Sequence, residues 1–181
     1  MLAIAAPLLP VRQDRTSLDW PQAGAASVEA PLVSYQPLRL DLTVPCPVLS
    51  GAEGTVVETV PDGSGQSSAR GLRVTVTGDT LSVVLRDVPL LAADRAELGG
   101  CTALTVTSSA LASTAELTGT ARADGTPFRA EVGRDIRPQL VGVFTDLPEA
   151  QLGGIRLHAD IESRFTSSPT PLKIAAIIGA V

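Results

Sequence analysis

The chain has 181 residues, enough for one domain with a sizeable core. Its formal net charge is −5 and no basic stripe runs through it, which argues against nucleic acid as a partner. Two cysteines and one histidine cannot fill a four-ligand zinc shell, so no metal and no other cofactor is expected.

The chain opens on an apolar run, Met1 to Val11, broken by Pro7 and Pro10. It lacks the positive start of a signal peptide. The sole tryptophan follows in "SLDWPQAG", Ser17 to Gly24, with Asp19 before it and Pro21 after it. In "LRLDLTV", Leu38, Leu40, Leu42 and Val44 alternate with Arg39, Asp41 and Thr43, the period of a half-buried strand. Thr55–Val60 is a further strand candidate, and "PDGSGQSSARG", Pro61 to Gly71, reads as a flexible loop. Leu72, Val74 and Val76, then Gly78-Asp79, then Leu81, Val83 and Leu85 predict a β-hairpin.

"VPLLAADRAELGG", Val88 to Gly100, is the best helical candidate, ended by Gly99-Gly100. Strands are expected over Thr102–Thr107, Ala115–Thr120, Phe128–Val132 and Gln139–Thr145. In "IRLHADIESRF", Ile155, Leu157, Ala159 and Ile161 are expected inside, with Arg156, His158, Asp160, Glu162 and Arg164 outside. The last residues, Ile174 to Val181, are apolar. A membrane span needs roughly 20 such residues, and both ends fall short of that. About nine or ten short strands separated by Gly, Pro and Ser turns predict an all-β sandwich or jelly roll with one short helix.

Catalytic motifs are sparse. His158 falls on a polar strand face among charges, where a solvated histidine is the commoner case. The chain has no G-x-S-x-G elbow to supply a nucleophilic serine and no phosphate-binding glycine loop with its lysine. Cys46 and Cys101 fit either one disulfide or two buried thiols. A bridge would contribute about 4 kcal/mol in the chain-entropy account and point to an oxidising compartment.

Several segments carry a resemblance. They are "PLLPVRQDRTSLDWPQAG" (Pro7 to Gly24), "SVEAPLVSYQPLRLDLTVPC" (Ser27 to Cys46), "GGC" (Gly99 to Cys101), "RDIRPQLVGVFTDL" (Arg134 to Leu147) and "RFTSSPTPLK" (Arg164 to Lys173). Together they span essentially the whole chain. It resembles the N-terminal extracytoplasmic domain of the actinobacterial cell-wall arabinosyltransferases, the Emb family.

The resemblance implies a jelly-roll-like, carbohydrate-binding-type module on the outer (periplasmic) face of the cell membrane. Its parent would be a multi-pass enzyme that moves arabinofuranose from decaprenyl-phosphate onto the arabinan of arabinogalactan or lipoarabinomannan. On that alignment, residues 1–11 are the end of a first membrane helix, 12–171 the β-sandwich domain and 172–181 the start of a second helix. The family's catalytic acidic residues lie beyond that second helix, so this segment is expected to be inactive alone. It is expected to place an acceptor glycan or to act as scaffold.

The partners implied are the rest of the transferase, an arabinan acceptor, a family paralogue as dimer partner and the membrane at both ends. The alternative is a stand-alone secreted β-sandwich used for adhesion or packing. Sugar sites combine aromatic rings with hydrogen-bonding side chains. Trp20, Asp19 and Tyr35 are the candidates here, while Phe144 is expected in the core. Placed at a membrane-helix junction, Trp20 also reads as an anchor where the chain enters its first strand. The extracytoplasmic setting favours a Cys46–Cys101 bridge.

Overall fold

A computed structural model describes residues 12–20, 36–60, 70–140 and 142–165. In chain order the strands are β1 (Arg12–Trp20), β2 (Arg39–Pro45), β3 (Gly54–Glu58), β4 (Leu72–Thr77), β5 (Thr80–Leu85), β6 (Val88–Asp94), β7 (Ala103–Ser109), β8 (Ser113–Ala121), β9 (Pro127–Val132) and β10 (Arg156–Phe165). One short helix, α1 (Cys46–Gly51), follows β2. Short 3-10 helices occupy Arg95–Gly100 and Glu149–Gln151. Two antiparallel sheets result, one in the order β1-β10-β2-β7-β8-β9 and one in the order β3-β4-β5-β6.

The alternation legible in the sequence forms the core. Leu40, Leu42 and Val44 of β2, Leu104 and Val106 of β7, and Leu157 and Ala159 of β10 turn inward, all essentially without exposure. From the smaller sheet come Leu72, Val74, Val76, Leu81, Val83 and Leu85, and all these side chains join one hydrophobic cluster. Each buried Leu or Val contributes about 1.5–3 kcal/mol of transfer free energy, so the facing layers are the main source of stability. Phe128 is buried among them.

The hairpin expected around Gly78-Asp79 is β4–β5, with Thr77 opposite Thr80. A bulge between Thr55 and Val57 lets β3 bury two successive residues, Val56 and Val57. Gly54, at φ +89, begins that strand. A Cβ there would lie 2.9 Å from Asp146 Oδ2, the atom that accepts the Thr55 N–H at 2.7 Å.

The expected helix over Val88–Gly100 is a strand followed by a 3-10 turn. A bulge at Val83/Val84 allows Leu90 and Leu91 both to be buried while β6 pairs with β5. Burial against the opposite sheet thus overrides a run with helical composition. A capping box starts the 3-10 helix that follows the strand. The Asp94 carboxylate accepts the Ala96 N–H at 2.9 Å, and the Glu97 carboxylate accepts the Asp94 N–H at 2.9 Å. The short helix of the fold is α1 instead, with Pro47 in its first turn and Leu49 buried.

Gln139–Thr145, expected as a strand, forms no named strand. It runs along β3 with an isolated bridge in which Glu58 and Phe144 exchange backbone bonds of 2.9 and 2.8 Å. Gly142 and Asp146 add N–H bonds to Thr59 and Thr55 carbonyls, so this segment satisfies an otherwise open sheet edge. Phe144 is therefore not a core residue: it stands on that edge, 37% exposed.

Cys46 and Cys101 are disulfide-bonded, with Cα atoms 5.7 Å apart. The Cys46 N–H donates to the Thr102 carbonyl at 3.1 Å, and Pro45 pairs with Ala103, so the bridge fastens the end of the β2–β7 ladder. At the far side of the larger sheet, Arg12 stands opposite Phe165. The two strands that begin and end the described chain are therefore neighbours. No helix among the described residues is long and apolar enough to cross a membrane. The end stretches expected as membrane-helix stubs lie outside the described residues, as do the loop residues 61–69.

Candidate functional site

The outward face of the larger sheet follows from the same alternation that builds the core. Directly opposed residues share a face. One row crosses all six strands: Asp19, His158, Asp41, Thr107, Thr114 and Glu131. A second runs Ser17, Asp160, Arg39 and Ser109.

Where β10, β2 and β7 meet, these rows bring Arg39, Asp41, Thr107, His158 and Asp160 to neighbouring register positions. The Arg39 guanidinium forks onto the Asp41 carboxylate, Nε to Oδ2 at 2.6 Å and Nη2 to Oδ1 at 3.2 Å. The Thr107 hydroxyl donates to Asp41 Oδ1 at 3.0 Å. His158 Nε2 lies 3.3 Å from Asp160 Oδ1. The Asp41 hydrogen bond and then its charge raise the Arg39 pKa further, with Asp160 adding in the same sense, so the guanidinium stays cationic. Both carboxylates and the imidazole remain partly exposed. The cluster offers fixed donors and acceptors on an open sheet.

The smaller sheet's outward side carries a different pair. Arg73 Nε is 3.7 Å from the buried Glu58 carboxylate, and the two stand opposite each other on β4 and β3. Buried polar groups elsewhere are structural. Thr59 donates its hydroxyl to the Gln139 carbonyl at 2.8 Å and accepts the Leu72 N–H at 2.9 Å. Ser108 and Ser113 both donate to the Ile136 carbonyl. Among the described residues no group of three or more His, Cys, Asp or Glu is arranged to hold a metal ion.

The three residues first considered for sugar contact part company. Asp19 pairs with His158 and holds a position in the polar row. Trp20 pairs with Leu157, whose row continues through Leu42 and Val106 on the core side. Asp19 and Trp20 are adjacent in β1, and adjacent strand positions alternate between the two faces. Tyr35 lies outside the described residues. By alternation alone, Arg39, Asp41, His158 and Asp160 are solvated strand positions and Thr107 has no role. Their convergence needs the strand order, for which a single strand carries no signal.

Comparison with known proteins fits this architecture. Residues 12–164 match the family described as arabinosyltransferase concanavalin like domain. Probable arabinosyltransferase C of Mycobacterium tuberculosis is 43% identical over 194 residues, covering 98% of this chain and 18% of that protein. Probable arabinosyltransferase B of the same organism is 38% identical over 188 residues, covering 100% of the chain and 17% of that protein. The chain thus spans under a fifth of the length of these relatives.

Among solved structures, arabinosyltransferase EmbB of Mycobacterium smegmatis superposes with a TM-score of 0.75 at 36% identity, over 96% of this chain and 18% of that one. An extracellular domain of arabinofuranosyltransferase from Corynebacterium diphtheriae gives a TM-score of 0.63 at 29% identity, over 83% and 99% respectively. The chain belongs to the arabinosyltransferase concanavalin-like domain family.

Proposed function

We propose that this chain is the extracytoplasmic accessory domain of a membrane arabinofuranosyltransferase, where it positions the arabinan acceptor that the enzyme body extends. The observation that carries this reading is the match over nearly the whole β-sandwich to a small fraction of much longer arabinosyltransferases, one of whose relatives was solved as an extracellular domain. The pairing of Arg12 with Phe165 supports it, because both ends of the sandwich then leave from one place. In this reading the domain stands on the outer face of the membrane. The parent takes arabinofuranose from decaprenylphosphoryl-arabinose.

The domain's part is physical. Holding a long acceptor beside the reacting centre replaces a bimolecular encounter with an effectively intramolecular one. The transferring chemistry lies in the remainder of the enzyme, and this segment alone transfers nothing. A family paralogue is the natural dimer partner of that parent.

Transplanting residues 12–165 into a full-length arabinosyltransferase, in place of its own segment, tests the reading. Transfer is expected to persist in the chimera, and deleting the segment is expected to raise KM for a long arabinan acceptor more than for a short one. Equal transfer to both acceptors after deletion would overturn the assignment.

A further inference from the structure

We infer that β9 is an interaction edge: residues 128–132 pair antiparallel with the same residues of a second copy of this chain, so that one sheet continues across two sandwiches. The inference goes beyond the accessory role and does not depend on it. Three observations carry it: an open edge, an unbroken register and a self-complementary sequence.

β9 ends the larger sheet and pairs with β8 on one side. Among the described residues no backbone hydrogen bond leaves residues 127–132 on the other side. Such an edge is a template for another strand unless the fold blunts it. The edges of the smaller sheet are blunted. Gly142, Phe144 and Asp146 bond along β3, and β6 carries Pro89 and a shift of register against β5.

Phe128 to Val132 hold five consecutive pairs with Leu117 to Ser113. The irregularity in this ladder falls outside them, between Leu117 and Ala121. Pro127, which has no N–H to offer, stands one residue before them. A regular stretch without proline therefore faces the opening.

The sequence of that stretch, "FRAEV", complements itself when reversed. With Ala130 opposite its own copy, Phe128 meets Val132 and Arg129 meets Glu131, each pair occurring twice. Aromatic with β-branched and plus with minus are stabilising pairs across antiparallel strands. A slip of two residues sets Arg129 against itself or Glu131 against itself, so charge fixes the register.

The side chains are placed for this. Arg129 and Glu131 are 53% and 54% exposed, and their contact within one copy is long, Nη2 to Oε2 at 3.5 Å. Their β8 partners are Glu116 and Thr114. In the pair, Arg129 stands between two carboxylates, and Glu131 between Thr114 and a guanidinium. On the inner side Ala130 and Val132 pack on the core yet keep partial exposure, which the second copy's edge covers. Phe128, already buried, gives the second copy's Val132 an aromatic neighbour.

Five paired residues on each copy make an interface below the standard size, so a dissociation constant in about the high-micromolar range is expected. Sedimentation equilibrium of the 181-residue chain over micromolar to millimolar concentrations measures it. Glu131→Arg, opposite the uncharged Thr114, sets Arg against Arg twice and is expected to weaken dimerisation about tenfold or more. Arg129→Glu does the same with carboxylates. Mixed in equal amounts, the two variants are expected to form a heterodimer, because every facing pair is again opposite in sign. Association through the apolar chain ends would ignore both variants. Amide exchange within residues 128–132 of the unaltered chain is expected to slow as its concentration rises.

A monomer at every concentration, dimers that both variants leave intact, or protection that arises in β1 or β6 instead of β9 would each overturn the edge. So would a mixture that stays monomeric while both variants keep the parent's amide spectrum. If Arg129→Glu does not fold beside Glu116, the loss in Glu131→Arg and the exchange in β9 decide. None of these results touches the acceptor-placing role, which is read from acceptor length on deleting the domain.

Discussion

Cys46 and Cys101 are joined across the ends of β2 and β7, one residue past Pro45 and two before Ala103, the last ladder pair. The bond closes a loop of 55 residues that contains α1 and the whole smaller sheet, β3 to β6. It therefore ties the end of the β2–β7 ladder across the connection that holds the other sheet.

Removing that tie is expected to cost about 2–4 kcal/mol. Thermal unfolding with and without reductant measures it, and Cys46→Ser with Cys101→Ser should match the reduced protein. Equal melting temperatures in both conditions would show that packing alone holds the ladder end.

The β5–β6 turn is strained. Arg86 and Asp87, the two residues between Leu85 and Val88, have φ of 48 and 62. Such two-residue turns favour Asn-Gly because both positions need the left-handed region. Replacing the pair by Arg86→Asn and Asp87→Gly is expected to stabilise the fold by about 1–2 kcal/mol. Urea unfolding should show a higher midpoint at unchanged slope. A lower midpoint would mean that the native side chains make interactions worth more than the strain.

Acid has one local target in the β8–β9 turn. The Thr126 hydroxyl, at 2.6 Å, and the Thr126 N–H, at 2.9 Å, both donate to Asp124 Oδ1. They hold its carboxyl below the usual carboxylate range, the hydroxyl being the larger cause. Because the folded pKa is the lower one, the stabilisation is complete above the unfolded value of about 3.9 and disappears as the pH falls through the folded pKa. Carbon-13 titration of Asp124 should show this depression, and Thr126→Val should move the group back up. An unchanged titration in the variant would assign the shift to the backbone alone.

Local pattern and fold agree where one strand carries its own evidence. The alternation of Leu38–Val44 and of Ile155–Phe165 announced β2 and β10, since a period of two needs no knowledge of neighbours. The Gly78-Asp79 hairpin was equally legible. Val88–Asp94 was not: Leu90 and Leu91 are both buried only because a bulge forms against β5. Phe144 looked like core for its apolar neighbours, yet its backbone serves as the cover of the β3 edge.

The candidate site shows the same division. Arg39 and Asp41 could be assigned from sequence to a polar strand face, whereas Trp20, expected where the chain enters its first strand, is the last residue of β1. Thr107 reaches Asp41 across 66 residues of sequence, and His158 stands opposite Asp41 from the far end of the chain. Alternation is a property of each segment, fixed by the pleat and by which side chains avoid water. Strand order and register are properties of the whole, fixed by the burial of two sheets against each other. The sequence by itself therefore determined an all-β sandwich with one polar face. Only the tertiary structure decided that Arg39, Asp41, Thr107, His158 and Asp160 share one face.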